Sequence, residues 1–196
     1  MLGKDFMVCS LVLIFFAAGA QAVPIKVLMH AHVSDLDGDD GMGSSLALFD
    51  LADSQGYNAI IMTPHTVNYD GRKNDSATVN ALVREKKYSN LSLVIMGGEV
   101  EESGAEAVEF GDVRVWVHPG YPELGAAPQK SCGFYEICNG EFVSALDTGL
   151  FTIPANSTDM MPLVGEDFHG IGNTLLTAII VDAENQSEPA IISAKM

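Results

Sequence analysis

Basic residues are scarce in this chain. Ten Lys and Arg stand against 26 Asp and Glu, a formal charge of −16 over 196 residues. A phosphate backbone is held by Lys and Arg that displace its counterions, so nucleic acid and anionic membrane surfaces are excluded as expected partners. Most of the acidic excess reads as a soluble surface. Cysteine is nearly absent too, with three residues. Cys9 falls inside an apolar run, and Cys132 and Cys138 stand in no zinc-finger spacing. In an exported protein these two could pair or remain thiols along one strand. Internal repeats and low-complexity tracts are missing. The apolar run 6–19 is short for a membrane span. It follows a single lysine and precedes Ala20-Gln21-Ala22, the small-x-small pattern of a signal peptidase site. The expectation is a signal peptide over 1–22, a mature start at Val23 and a periplasmic or secreted location, with no stable membrane insertion after cleavage. Residues 23–196 are enough for one domain with a core of its own.

Histidine is sparse as well, but its positions are informative. The five are His30, His32, His65, His118 and His169. An apolar strand over 25–32 ends in His30-x-His32. Residues i and i+2 of a strand share a face, so both imidazoles can point at one metal ion. The polar loop 33–43 carries Asp37-Gly38. A helix over about 45–55 follows, capped by Ser44 or Ser45 and stopped by Gly56. A strand over 58–63 ends at Pro64-His65. This strand–helix–strand alternation predicts parallel pairing with right-handed crossovers. A loop over 67–76 leads to a helix over about 77–88 with a solvated basic face (Arg84, Lys86, Lys87). A strand over 91–96 runs into Gly97-Gly98-Glu99, another over 113–117 ends at His118-Pro119-Gly120, and a third over 133–138 contains Glu136 and closes at Asn139-Gly140. A short helix over 142–148, a strand over 175–181 and a helix from 187 complete the reading. Asp167-x-His169 repeats the i, i+2 spacing with one carboxylate and one imidazole. Each histidine thus sits at a strand end or in a tight turn, where active sites form in parallel α/β architecture. Mixed nitrogen and oxygen donors suit zinc, manganese or iron better than calcium.

The ordered series resembles the PHP family, the metal-dependent phosphoesterases named for polymerase and histidinol phosphatase. The matching stretches are His30-x-His32, Asp37-Gly38, Thr63-Pro64-His65, Gly98-Glu99, His118-Pro119, Glu136-x-x-Asn139-Gly140 and Asp167-x-His169. The resemblance covers nearly all of 23–196. It implies an α/β fold, a distorted (β/α)7 barrel, here expected to be small, either minimal or C-terminally truncated relative to members that continue with a further strand and tail. It also implies two or three divalent metal ions (Zn, Mn or Fe) at the C-terminal face of the strands. Carried over, one metal takes His30, His32, the bridging Glu99 and Asp167. A second takes Asp37, His65 and His169, and a third shares Glu99 with His118. Asp37, Glu99 and His169 stand nearest the implied chemistry, attack of a metal-bound hydroxide on a small-molecule phosphate ester. A carbamate or amide hydrolase on the same scaffold is the neighbouring alternative. A non-catalytic or degenerate metal- or ligand-binding domain is the alternative from another class.

The chain departs from that family at three places. Pro64 stands where an aspartate is usual, and Glu166 where a small residue is usual before Asp167. Ala105 stands roughly where a further histidine would fall, which leaves the position using His118 one ligand short. Glu101, Glu102 and Glu106 could substitute but read as solvated charge. Glu136 and Asn139 read as supporting or turn residues rather than ligands, and Trp116, Phe134, Tyr135 and Phe168 as core. The amidohydrolases also open with a His-x-His strand, but they bridge their metals with a modified lysine. Here no lysine ends a strand and Glu99 takes that place.

Overall fold

The computed structural model describes residues 14–15, 23–35, 43–65, 69–102, 104–119, 132–138, 160–169, 175, 178–183 and 187. In chain order these form β1 (Ile14–Phe15), β2 (Val23–Ala31), α1 (Ser45–Ser54), β3 (Ala59–Met62), α2 (Tyr69–Lys86), β4 (Leu93–Met96), β5 (Gly98–Glu102), β6 (Ala105–Phe110), β7 (Val113–Val117), β8 (Phe134–Cys138), β9 (Met161–Val164) and β10 (Ile179–Ala183). The continuous apolar stretches of β2, β3 and β4 are buried on both faces, as expected of parallel strands covered by helices. They pair in parallel, with α1 and α2 as the crossovers. Ser44 caps α1, its hydroxyl accepting from the Ala47 N–H at 3.2 Å. Asp35 adds its carboxylate at the same helix start, accepting from the Ser45 N–H and hydroxyl. That contact fixes the chain just past His32.

The expected (β/α)7 barrel is not what the chain forms. The strands group into two five-stranded sheets, ordered β1-β10-β2-β3-β4 and β5-β6-β7-β8-β9, with two helices among the described residues. The physical reason lies in 97–117. β5, β6 and β7 run antiparallel in sequence order. Their connections turn at Gly104 (φ 80°) and Gly111 (φ 56°), and both turns pair the flanking strands directly. Two-residue turns leave no room for the crossover helix that parallel neighbours require. β10 also departs from the expectation, since it lies antiparallel to β2. β9 forms in a stretch to which the sequence reading assigned no element. α2 begins at Tyr69, inside what was expected to be a loop. The expected helix at 142–148 and, beyond Ser187, that from 187 lie outside the described residues, as do Asn139 and Gly140.

The inner faces of the two sheets meet in one core. Ile25, Val27 and Met29 of β2 pack there with Val108 and Phe110 of β6, Val115 and Val117 of β7 and Val181 of β10. Alternate residues of the first sheet, such as Leu28, Ile60 and Val94, face Leu48, Phe49, Val79 and Val83 of the helices. Ala107, Trp116, Cys132 and Tyr135 pack on the far face of the second sheet. The thiol of Cys132 hydrogen-bonds to Arg114. Its suggested partner Cys138 has a side chain outside the described residues.

Two seams join the sheets by backbone hydrogen bonds. At one, the His32 N–H donates to Phe168 O (2.8 Å) and the Glu166 N–H to Met29 O (2.9 Å). At the other, the Gly97 N–H donates to Met62 O (2.7 Å) and the Glu99 N–H to Pro64 O (3.1 Å). Gly97 is required at this crossing, because a Cβ there would lie 2.6 Å from Glu109 O. The seams carry the ends of β2 and β3 against the chain that follows β4 and β9.

Candidate metal centre

Both seams deliver polar side chains to one spot. The register of β2 against β3 shifts between Met29 and Ala31, and His30 sits in that irregularity with φ 65°. A bulge of this kind re-aims a side chain at a strand end. The register of β8 against β9 shifts between Glu136 and Cys138, again beside a site residue. His118 (φ 52°) and Asp167 (φ 50°) share the left-handed backbone of His30.

Glu99 is the hub. Its Oε2 lies 3.3 Å from His30 Nε2, 3.2 Å from His32 Nε2 and 3.2 Å from His65 Nε2. Its Oε1 lies 3.3 Å from His118 Nε2. Asp167 Oδ1 is 3.4 Å from His30 Nε2, 3.7 Å from His32 Nε2 and 3.2 Å from His169 Nδ1. The His32 ring stacks between those of His169 (centroids 4.2 Å apart) and His65 (4.7 Å). His30, His32 and Glu99 are buried, whereas the side chains of His65 and His169 are 38 % and 35 % exposed and form the open rim.

Behind the hub, Glu136 organises the floor. Its Oε1 accepts from His30 Nδ1 at 2.9 Å, and its Oε2 accepts from the His118 backbone N–H at 3.4 Å. A carboxylate on Nδ1 fixes the ring so that Nε2 faces Glu99 and Asp167, the support that metal-ligating histidines usually have. Gly165 makes this packing possible. A Cβ there would collide with the Glu136 carboxylate and stand 3.1 Å from His30 Cβ.

Four triads each bring donor atoms within 4.8 Å of one another. They are His32–His65–His169, His30–Glu99–His118, His30–His32–Asp167 and His65–Glu99–Glu106. Buried carboxylates and imidazoles grouped in this way could hold a metal ion. Two further observations fit a cation. Glu99 Oε1 and Asp167 Oδ1 are fully buried and are faced by imidazole nitrogens, His118 Nε2 at 3.3 Å and His169 Nδ1 at 3.2 Å. Glu99, Glu136 and Asp167 also crowd their carboxylates into a space nearly closed to water, where a positive charge must offset them.

A scan of protein families and a search of curated proteins match nothing to this chain. The chemistry is therefore read from the residues.

Without metal, protons take the balancing role. Burial opposes the charging of His30, but the Glu136 and Glu99 carboxylates outweigh it and raise its pKa well above the ordinary histidine value. His118 is raised in the same way, mainly by its hydrogen bond to Glu99. Glu99 is held well below the usual carboxylate range by the His30 charge and by hydrogen bonds from three imidazoles, against the penalty of burial. Burial likewise opposes ionisation of Asp167, yet His169, His30 and His118 bring it down to about 2. Glu106 moves the other way, raised by burial and by the neighbouring charge of Glu99.

Of the expected ligands, His30, His32, His65, Glu99, His118, Asp167 and His169 all come together here. Asp37 lies outside the described residues. Sequence reasoning named Glu106 only as one of three carboxylates that could substitute and preferred to read it as solvated charge, and it gave Gly165 no role. The vacant ligand position was assigned near Ala105, and the strand geometry corrects this. Ala105 shares the face of Ala107, which packs on Trp116, whereas Glu106 shares the inward face of Val108 and Phe110. Glu106 Oε2 lies 3.6 Å from His118 Nε2. The alternation along 105–110 carries that signal, but only once the hairpin is recognised.

Proposed function

We propose that this chain is a metal-dependent hydrolase acting on a small phosphate ester, similar in its ligand series to the PHP phosphoesterases although not in the barrel those imply. The observation that carries this reading is the convergence of all five histidines on Glu99 and Asp167, from elements spread between β2 and the segment after β9. His30, His32, Glu99 and Asp167 would hold one divalent ion. His65 and His169 would hold a second, with Asp37 as the resemblance implies. Zinc, manganese and iron suit this mixture of donors. Bound divalent cations supply Lewis-acid chemistry, acidifying water and polarising a phosphoryl oxygen.

The protein's own contribution is positional. Glu136 holds the His30 ring, and the carboxylates keep the imidazoles facing inward. The rim of His65 and His169 leaves the approach for an anionic ester. Export as a protein starting at Val23 belongs to the same proposal.

The test compares the parent chain with a His30→Ala/His32→Ala variant. Elemental analysis should find bound divalent metal in the parent and the loss of at least one equivalent in the variant. The parent, loaded with zinc or manganese, should hydrolyse a phosphate monoester or diester, and the variant should not. Loading should weaken as pH falls, because protons then hold His30 and His118 against the metal. Hydrolysis of a carbamate ester alone would move the substrate class. Bound metal without hydrolysis of any ester would leave a metal-binding domain.

A further inference from the structure

The four donor triads differ in chemistry. His32–His65–His169 offers three nitrogens, and His30–His32–Asp167 two nitrogens and one oxygen. His65–Glu99–Glu106 reverses the ratio, with two carboxylate oxygens and one nitrogen. Glu106 reaches this place because β6 alternates and turns its side chain inward, and because the turn at Gly104 sets β6 beside β5 so that Glu99 pairs with Val108. The Glu106 side chain is 19 % exposed, and its carboxylate has donor atoms of His65 and Glu99 within 4.8 Å. Carboxylates favour harder cations, and imidazoles favour zinc.

We propose that Glu106 completes an oxygen-rich cation position with Glu99 and His118, beside His65, and that this position takes manganese or magnesium while the imidazole-rich positions are filled by zinc. The chain then holds two kinds of divalent ion at once, sorted by donor chemistry within one cluster. This inference rests on the reading of the cluster as a metal centre, and its test separates the two.

The experiment strips the full chain with a chelator and titrates it with Mn(II), with Zn(II) and with both. Paramagnetic resonance follows manganese and elemental analysis follows zinc. The parent should bind manganese beside the equivalents of zinc that fill the imidazole-rich positions. Glu106→Gln, nearly isosteric and expected to fold, should weaken manganese binding by more than about tenfold, since even residues that only support a ligand are worth roughly 10–100-fold. Its zinc content should stay at the parent value. Glu106→His should exchange manganese for an additional equivalent of zinc. A Glu106→Gln variant that binds manganese as the parent does overturns the inference. If His32→Ala still loses zinc in that case, the metal-centre reading survives. A parent that binds neither ion overturns both.

Discussion

His30 is constrained twice, by a left-handed backbone at φ 65° and by the Glu136 carboxylate on its ring. For residues other than glycine such backbone costs on the order of 1–3 kcal/mol and persists only where the surroundings over-determine it. His118 and Asp167 share it, and both contribute donors to the cluster. Lys87, the remaining described residue of this kind, follows the last turn of α2, where left-handed backbone commonly ends a helix. Strain thus concentrates where imidazoles and carboxylates are held against their own preferences. Gly165 is the weak point of that hold. Gly165→Ala should push Glu136 off His30 Nδ1 and lower metal affinity by roughly 10–100-fold, the usual effect of losing an outer carboxylate. Calorimetric titration of Gly165→Ala and Glu136→Gln should give matching losses, and parent-like affinity in Gly165→Ala would remove the role assigned to it. The motifs His30-x-His32 and Asp167-x-His169 were legible because their geometry is local to one strand end. Glu106 and Gly165 were not, because each acquires its role from a neighbour distant in sequence.

At the scale of elements, the parallel half of the fold was readable and the antiparallel half was not. β2, α1, β3 and β4 announce themselves by apolar runs, a serine cap and a glycine stop. β5 and β6 are rich in glutamate and alanine, residues depleted from strands, so their pairing hid behind weak propensity. Recognition of the hairpin would have removed the barrel expectation, since consecutive antiparallel strands leave no place for helices between them. The other informative contact joins α2 to the edge strand β4. The Asn80 amide donates to Val94 O at 2.6 Å, and its oxygen accepts from the Val94 N–H at 2.8 Å. The side chain thus stands in for a neighbouring strand on the edge of the sheet. Asn80→Ala leaves both backbone groups of Val94 buried without these partners, which costs about 1–3 kcal/mol for each unsatisfied group. Thermal unfolding of the metal-free chain should shift down by about 2–4 °C for each kcal/mol lost. Metal content at saturation should not change, which distinguishes a docking role from a role in the centre. An unchanged melting temperature would mean that β4 does not depend on this contact.

For the whole molecule, the arrangement of the sheets decides which parts the centre needs. Every described donor comes from β2, β5 or β6, or from the residues that follow β2, β3, β7 and β9. β1 contributes none. Its two residues pair only with Ile180 and Val181 of β10, at the outer edge of the first sheet. β10 is held independently by β2 over a ladder from Ile179↔Val27 to Ala183↔Val23. Removal of β1 therefore exposes one sheet edge but keeps the inner core and both seams. Val23, the expected first residue after cleavage, is also the first residue of β2. Among the described residues no helix is long and apolar enough to cross a membrane, so the export proposal rests on the apolar run 6–19 and the Ala20-Gln21-Ala22 pattern. A chain begun at Val23 should fold with the parent's metal content, and its melting temperature should lie close to that of the full chain. If the full gene product is exported, N-terminal sequencing of the secreted form should begin at Val23. A truncated chain that cannot fold or bind metal would make β1 part of the working sheet, and secreted protein retaining Met1 would remove the leader.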